Sequence, residues 1–226
     1  MIDWQAFLLT ARVAAWTTAI LLIIGLPTAY GLAFGKWRFK FLADALVALP
    51  LVLPPTVLGF YILIAIGPHS PIGQVYEDWS GNTLPFSFQG LVLASVIYSL
   101  PFAIQPMAAA FAQVEPSQIE ASRCLGASRL RTFWSIILPQ SIGGVVVGMV
   151  LSFAHTLGEF GVVLMVGGNI PQETRTVAIS IYDEVQALNY DAAAQTSLVL
   201  LLISFVVLAL MYGLQHRSWN PWSIRS

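Results

Sequence analysis

What this sequence lacks first of all is charge: Asp, Glu, Lys and Arg together make up 9% of its 226 residues, against about 25% in a soluble domain. So few solvated groups cannot cover a water-soluble fold of this length, and a 57% hydrophobic content points to a bilayer as the solvent. A formal net charge of −1 gives no reason to expect a nucleic-acid partner. The single cysteine, Cys124, excludes an intramolecular disulfide and is expected as a reduced thiol. No G-x-x-x-x-G-K-[ST] phosphate cradle occurs, so any ATP must be bound by another protein. No catalytic group, cofactor or metal site is expected.

What is present is apolar length. Crossing the hydrocarbon takes about 20 residues, and five stretches qualify, at about 13–34, 43–67, 88–114, 142–167 and 196–214. The first is too long for a signal-peptide core and has Asp3 before it, so it is expected to stay as a mature helix. The expected fold is all-α: a polytopic membrane protein of about five transmembrane helices, forming one domain over 1–226.

Orientation follows from the Lys and Arg residues, which concentrate in cytoplasmic loops. Lys36, Arg38 and Lys40 lie in the first loop, Arg123, Arg129 and Arg131 in the third, and Arg217 and Arg225 in the tail, eight of the ten basic residues. The other side holds Asp3, Glu77, Asp78, Glu173, Asp183, Glu184 and Asp191, with Arg12 and Arg175. The amino terminus is therefore expected outside and the carboxyl terminus in the cytoplasm. Trp4, Trp37, Trp79, Trp134, Trp219 and Trp222 fall at span ends or in connections, where an indole suits the headgroup level.

The loop at 115–139 contains "EASRCLGASRLRTFWSIILPQ". Ser117 with Glu120 three residues later fits a capping box, which predicts a helix start. Gly126 suits a positive-φ helix end two turns on. Leu130, Phe133, Trp134 and Ile137 then form an i, i+3, i+4, i+7 stripe along a second helix, expected on the membrane surface and closed by Pro139. By these signals alone the loop is a connector. Its spacing says more: Glu120-Ala121-Ser122, three residues, Gly126, nine residues, then Ile136-Ile137-Leu138-Pro139 resembles the Glu-Ala-Ala loop of ABC importer permeases, with Ser122 where that family usually has Ala. The resemblance implies that Glu120, Ala121, Gly126, Leu138 and Pro139 belong to a type I importer-like coupling loop. A cytoplasmic coupling helix at about 118–125 would dock on a separate ATPase subunit.

Two further stretches are candidates for the pathway or its gate. "LPLVLPPTVLGF" puts Pro50, Pro54 and Pro55 inside one span, with Thr56 next to them; the helix should kink or break, either for packing or to line a path. "HTLGEFG" puts Glu159 inside the fourth span, with His155 four residues earlier on the same helical face, able to pair with it. Either a proton relay or a buried polar contact fits. Asp44, the only other carboxylate in a span, is too near water to extend a relay.

With "GNIPQETRT", these stretches resemble the molybdate permeases of ABC importers over about residues 49–182, although that family often has Arg where His155 stands and Gly where Gln172 stands. Sulfate and thiosulfate permeases share some of these features. The resemblance implies an inner-membrane homodimer, two ATPase copies and an external substrate-binding protein docking around 67–85 and 169–191. No Lys or Arg occurs in the second, third or fourth span, so an anion would meet neutral donors such as Ser95, Ser99 and Thr156. A secondary anion carrier is the rival of another class. It would be expected to show paired discontinuous helices and several intramembrane charges.

Overall fold

The computed structural model describes residues 2–218, and among them every regular element is helical. α1 (Trp4–Phe34) is 31 residues long and starts nine residues before the expected span. Asp3 caps it, its Oδ1 accepting from the Gln5 and Ala6 amides at 3.1 Å each. At about 1.5 Å per residue such a helix outreaches a 30 Å hydrocarbon core. α5 (Phe88–Ala112) matches the third expected span closely, and α12 (Tyr190–Ser218) starts six residues ahead of the fifth. The expectations for Trp219, Trp222 and Arg225, and for the Arg217 side chain, lie outside what is described.

The second expected span is not one crossing helix. α2 (Lys40–Val52) and α3 (Pro55–Ile66) meet at 116°. The cause is local: Leu53 and Pro54 each precede a proline, which disfavours helical ψ. Both are extended, with ψ of 135° and 136°. Pro50, by contrast, is carried inside α2. The fourth expected span is likewise divided, into α9 (Ile142–Leu157) and α10 (Gly161–Gly167). α4 (Pro71–Ser80) and α11 (Val177–Gln186) fold segments expected as loops.

Three helices form the core. α1 and α5 run parallel, with the Arg12 guanidinium over the Phe88 ring at 5.2 Å near one end and Gly25 facing Met107 farther along. α9 runs antiparallel to α5. Gly144 lies against Ala110 and Pro106, Gly148 against Ala103, and His155 against Ser99. A Cβ at Gly148 would stand 2.6 Å from the Ala103 carbonyl oxygen, so the two backbones touch where only glycine fits. Gly144-x-x-x-Gly148 is the small-residue spacing that lets membrane helices approach closely. Leu21, Leu91, Ile104, Met107 and Phe111 fill the core, each under 2% exposed.

Between α5 and α9 lie α6 (Pro116–Cys124), α7 (Arg129–Thr132), a π-turn (Phe133–Ile137) and α8 (Leu138–Gln140). The π-turn's Phe133 ring meets Tyr30 edge-on at 5.6 Å and Phe111 at 5.7 Å. This clasp holds the connection to the bundle end that also bears Lys36, Arg38 and Lys40. Asp44 at that end pairs with Lys40 at 3.0 Å.

Gly148→Val is expected to force α5 and α9 apart. Thermal melting in detergent should fall by more than 10 °C, or the folded protein should be lost, as overpacking at a backbone contact predicts. An unchanged melting temperature would show that the two helices do not meet there.

Candidate functional site

Two regions answer to the sequence candidates. The first is the α6–α8 connection. Pro116 opens α6 at its first position, where a missing N–H costs nothing. Ser117 is therefore inside the first turn and does not cap the helix. Its hydroxyl faces Glu115 Oε2 at 3.5 Å, so the expected capping box with Glu120 does not form. Freed from that role, Glu120 is exposed together with Ala121, Cys124 and Leu125, the last 88% exposed. The opposite face buries Ile119 and Ser122. α6 is thus a two-turn knob with an open outer face.

Gly126 ends it with φ +81°, as expected. Nothing lies within 4 Å of where its Cβ would be, so glycine is required by backbone conformation rather than by crowding. Ser128 then caps α7, its Oγ accepting from Arg131 N at 3.3 Å. Along the expected stripe Ile137 is 1% exposed, while Leu130 and Trp134 face outward. Leu138 is half-buried and Pro139 exposed, but Pro139 does not close the run. The wider π-turn before it lets a proline enter without its ring pressing on the preceding carbonyls. The chain turns instead at Ser141, whose hydroxyl donates to the Ala110 carbonyl at 3.1 Å, and α9 leaves at 74°.

The second region joins the two helix breaks. Pro55, at the start of α3, lies against Gly161, at the start of α10, where an added Cβ would stand 2.7 Å away. One turn on, Gly59 faces Met165 and Val162. The breaks thus meet, with Pro54, Pro55 and Thr56 exposed on one side and Gly158 on the other. Glu159 is in the second break, 4% exposed. It does not pair with His155, because the helix ends at Leu157 and the i, i+4 relation is lost. His155 Nδ1 instead meets Ser99 Oγ at 3.0 Å, and its ring stacks on Phe102 at 4.0 Å. The Ser99 hydroxyl also reaches Thr156 Oγ1 at 3.2 Å. Ser95 lies beside the Glu159 carboxyl group without hydrogen-bond geometry, and its Oγ and both Glu159 oxygens have no partner among the described residues.

A third feature was legible only as a motif. In "GNIPQETRT" the Arg175 Nε donates to Asn169 Oδ1 at 2.7 Å, and the Asn169 amide donates to Asp183 Oδ2 at 2.6 Å. Gln172 has φ +71°, a left-handed conformation that explains why glycine suits this position. The sequence reading missed Asn169 and Asp183 as partners, and missed Gly144 and Gly148, although the four-residue glycine spacing was visible.

A lone buried carboxylate is costly, and an amide of the same shape avoids that cost while keeping a polar neighbour for Ser95. Glu159→Gln is therefore expected to melt at or above the parent temperature in detergent. A fall of more than a few degrees would mean that another subunit supplies a charged partner.

These features can be set beside known proteins. Residues 16–220 match the family described as binding-protein-dependent transport system inner membrane component. The molybdenum transport system permease protein ModB of Azotobacter vinelandii is 49% identical over 211 residues, covering 93% of each chain. The protein of the same name from Escherichia coli (strain K12) is 37% identical, covering 91% of each. Among solved structures, an inward-facing MetNI methionine ABC transporter chain superposes with a TM-score of 0.74, at 15% identity and over 94% of each chain, a likeness of fold alone. By sequence and by fold, the chain belongs to the binding-protein-dependent transport system inner membrane components, the permease subunits of ABC importers.

Proposed function

We propose that this permease carries molybdate, with tungstate as a near equivalent, by alternating access in an importer built from two copies of the chain, two ATPase subunits and an external binding protein. The observation that carries the coupling half of this reading is α6: a short helix with an open outer face, ended by a strained-unless-glycine turn, in the loop whose spacing matches the coupling pattern. Glu120 and Ala121 would face the ATPase; Gly126, Leu138 and Pro139 would shape the turn and the return into α9. Discontinuous helices, expected of a secondary carrier, occur here as α2–α3 and α9–α10. They do not favour that rival, because a self-sufficient carrier has no use for a docking knob. ATP hydrolysis then belongs to the partner subunit.

The dimer is favoured by architecture. Five spans enclose a gated path poorly, and Leu49, Val52, Phe60, Tyr61 and Ile64 on α2–α3 are all exposed. A two-fold axis passing between two such faces would close the path. Pro54, Pro55, Thr56, His155 and Glu159 are proposed to lie along it or at its gate. The basic end of the bundle, with α6, is proposed to be cytoplasmic, which puts the amino terminus outside and the carboxyl terminus inside. The outward end, with α4, α11 and the Asn169–Arg175–Asp183 knot, would receive the binding protein.

The substrate comes from the relatives named for molybdenum transport, and the chemistry agrees. A tetrahedral dianion held by buried cations would be slow to leave, whereas hydroxyl donors release it. Discrimination then falls to the binding protein.

Orientation is testable with the native thiol, since Cys124 is exposed in the isolated subunit. It should resist an impermeant maleimide in intact cells and react once the membrane is permeabilised or the subunit purified. Labelling of intact cells would reverse the topology.

Reconstituted with its ATPase and binding protein, the importer should hydrolyse ATP severalfold faster with molybdate or tungstate. Sulfate should have little effect, because a pocket sized for the larger anion holds it at longer hydrogen-bond distances. Equal stimulation by sulfate would move the assignment to the sulfate permeases. Silence with every oxyanion, while the ATPase is bound, would remove the substrate class.

A further inference from the structure

Position 122 is where this chain departs from the coupling pattern, with serine in place of alanine, and the hydroxyl is buried. Ser122 Oγ lies 2.9 Å from Thr132 Oγ1, joining the last turn of α6 to the end of α7. Both residues are nearly closed to solvent, at 7% and 2% exposure. Each hydroxyl has one hydrogen to give. Thr132 Oγ1 is 3.1 Å from the Ser128 carbonyl, which can only accept. The arrangement that uses both hydrogens therefore has Ser122 donate to Thr132 and Thr132 donate to Ser128. A directed chain of two hydrogen bonds bridges the Gly126 turn.

Other contacts run across the same turn. The Ala127 amide donates to the Ser122 carbonyl at 3.1 Å, and the Gln140 amide donates to Gln118 Oε1 at 2.6 Å from beyond the π-turn. Ile119 packs in the core cluster that holds Ile137 and Phe133. Gly126 itself supplies no contact that would hold the two helices at a fixed angle.

We infer that Ser122 and Thr132 form a latch that makes the coupling helix and the helix leading into α9 one rigid lever, so that Ser122 is a positioning residue for coupling. The latch rests on the coupling reading of this loop. Without it, α6 would pivot about the glycine and a push on its outer face would be dissipated in the turn. A serine can do this where an alanine cannot, because α7 here presents a threonine opposite.

The directed chain makes the two ends unequal. Ser122→Ala removes a donor and leaves Thr132 still bonded to Ser128. Thr132→Val strands a buried hydroxyl hydrogen on Ser122, the costlier loss, and Ser122→Ala in the same chain removes that stranded group. The measurement is molybdate transported per ATP hydrolysed in proteoliposomes holding the complete importer, with Gly126→Val beside it and all samples matched for assembled complex. Thr132→Val should lower the ratio about tenfold and Ser122→Ala about two- to threefold, and the double variant should return to the Ser122→Ala value, as a double-mutant cycle reports for a direct pair. Ser122→Thr, which keeps the hydroxyl, should stay within about twofold of the parent. Losses that merely multiply in the double variant, or a Thr132→Val ratio equal to the parent's, would overturn the latch. If Gly126→Val also transports with the parent ratio, the coupling reading falls with it; if Gly126→Val is uncoupled, that reading stands and the latch alone is refuted.

Discussion

Both functional regions depend on α9, and α9 is held in place by a backbone contact that only glycine permits. Gly144 and Gly148 bring it against Pro106, Ala110 and Ala103 of α5. In a bilayer, lipid tails compete on equal terms with apolar side chains, so helix association relies on close packing and hydrogen bonds rather than on expulsion of water. Removing two side chains at one seam lets Ser99 of α5 reach both His155 and Thr156 farther along α9. The close approach and the interhelical hydrogen bonds are thus one interaction. It sets the height of Glu159 at one end of α9 and the direction of the 74° bend at the other.

Breaking two helices within the bilayer would be prohibitive in lipid, because freed backbone groups have no water to meet. Here the breaks cover each other. α3 and α10 start side by side, Pro55 at one N-terminus against Gly161 at the other, and Gly59 admits Met165 one turn later. Proline loses little at the start of a helix, and glycine lets the partner close in. Irregular backbone is thereby confined to one protein-lined spot, where Glu159 also lies. That the most expensive side chain of the membrane interior sits at its only junction of broken helices is why this place, rather than the first-ranked apolar groove of the surface, reads as functional.

Much of this was legible in the residues, and the failures have physical causes. The Pro54-Pro55 break followed from the restriction on residues that precede proline, and Gly126 from its two-turn distance after a helix start. The capping box failed because two rules competed at neighbouring positions: Pro116 fits the first helical position so well that the start moved one residue upstream of Ser117. Pairing of His155 with Glu159 failed because the i, i+4 rule assumes an unbroken helix, and Gly158 ends this one. Pro139 as a stop failed because a π-turn, which no local pattern announces, made room for it. Span lengths near the right values could not show that two of the spans are bent, since hydropathy records composition and not direction.

The bend of α9 has a consequence for how a push could travel. A straight helix continuing from the connection would transmit a displacement only along its axis, whereas an arm meeting α9 at 74° turns lateral motion of α6 into rotation. Rotation is resisted at the elbow by Phe133 between Tyr30 and Phe111 and by Ser141 on the Ala110 carbonyl, both of which anchor to the basic end of the bundle. The far end of α9 has no such clasp. There it meets a break, a carboxyl group with no partner among the described residues and a single contact of glycine on proline. Stiffness at the elbow and compliance at the break are what a gate driven from one side requires, and in this chain both follow from where prolines, glycines and aromatic rings stand along one helix.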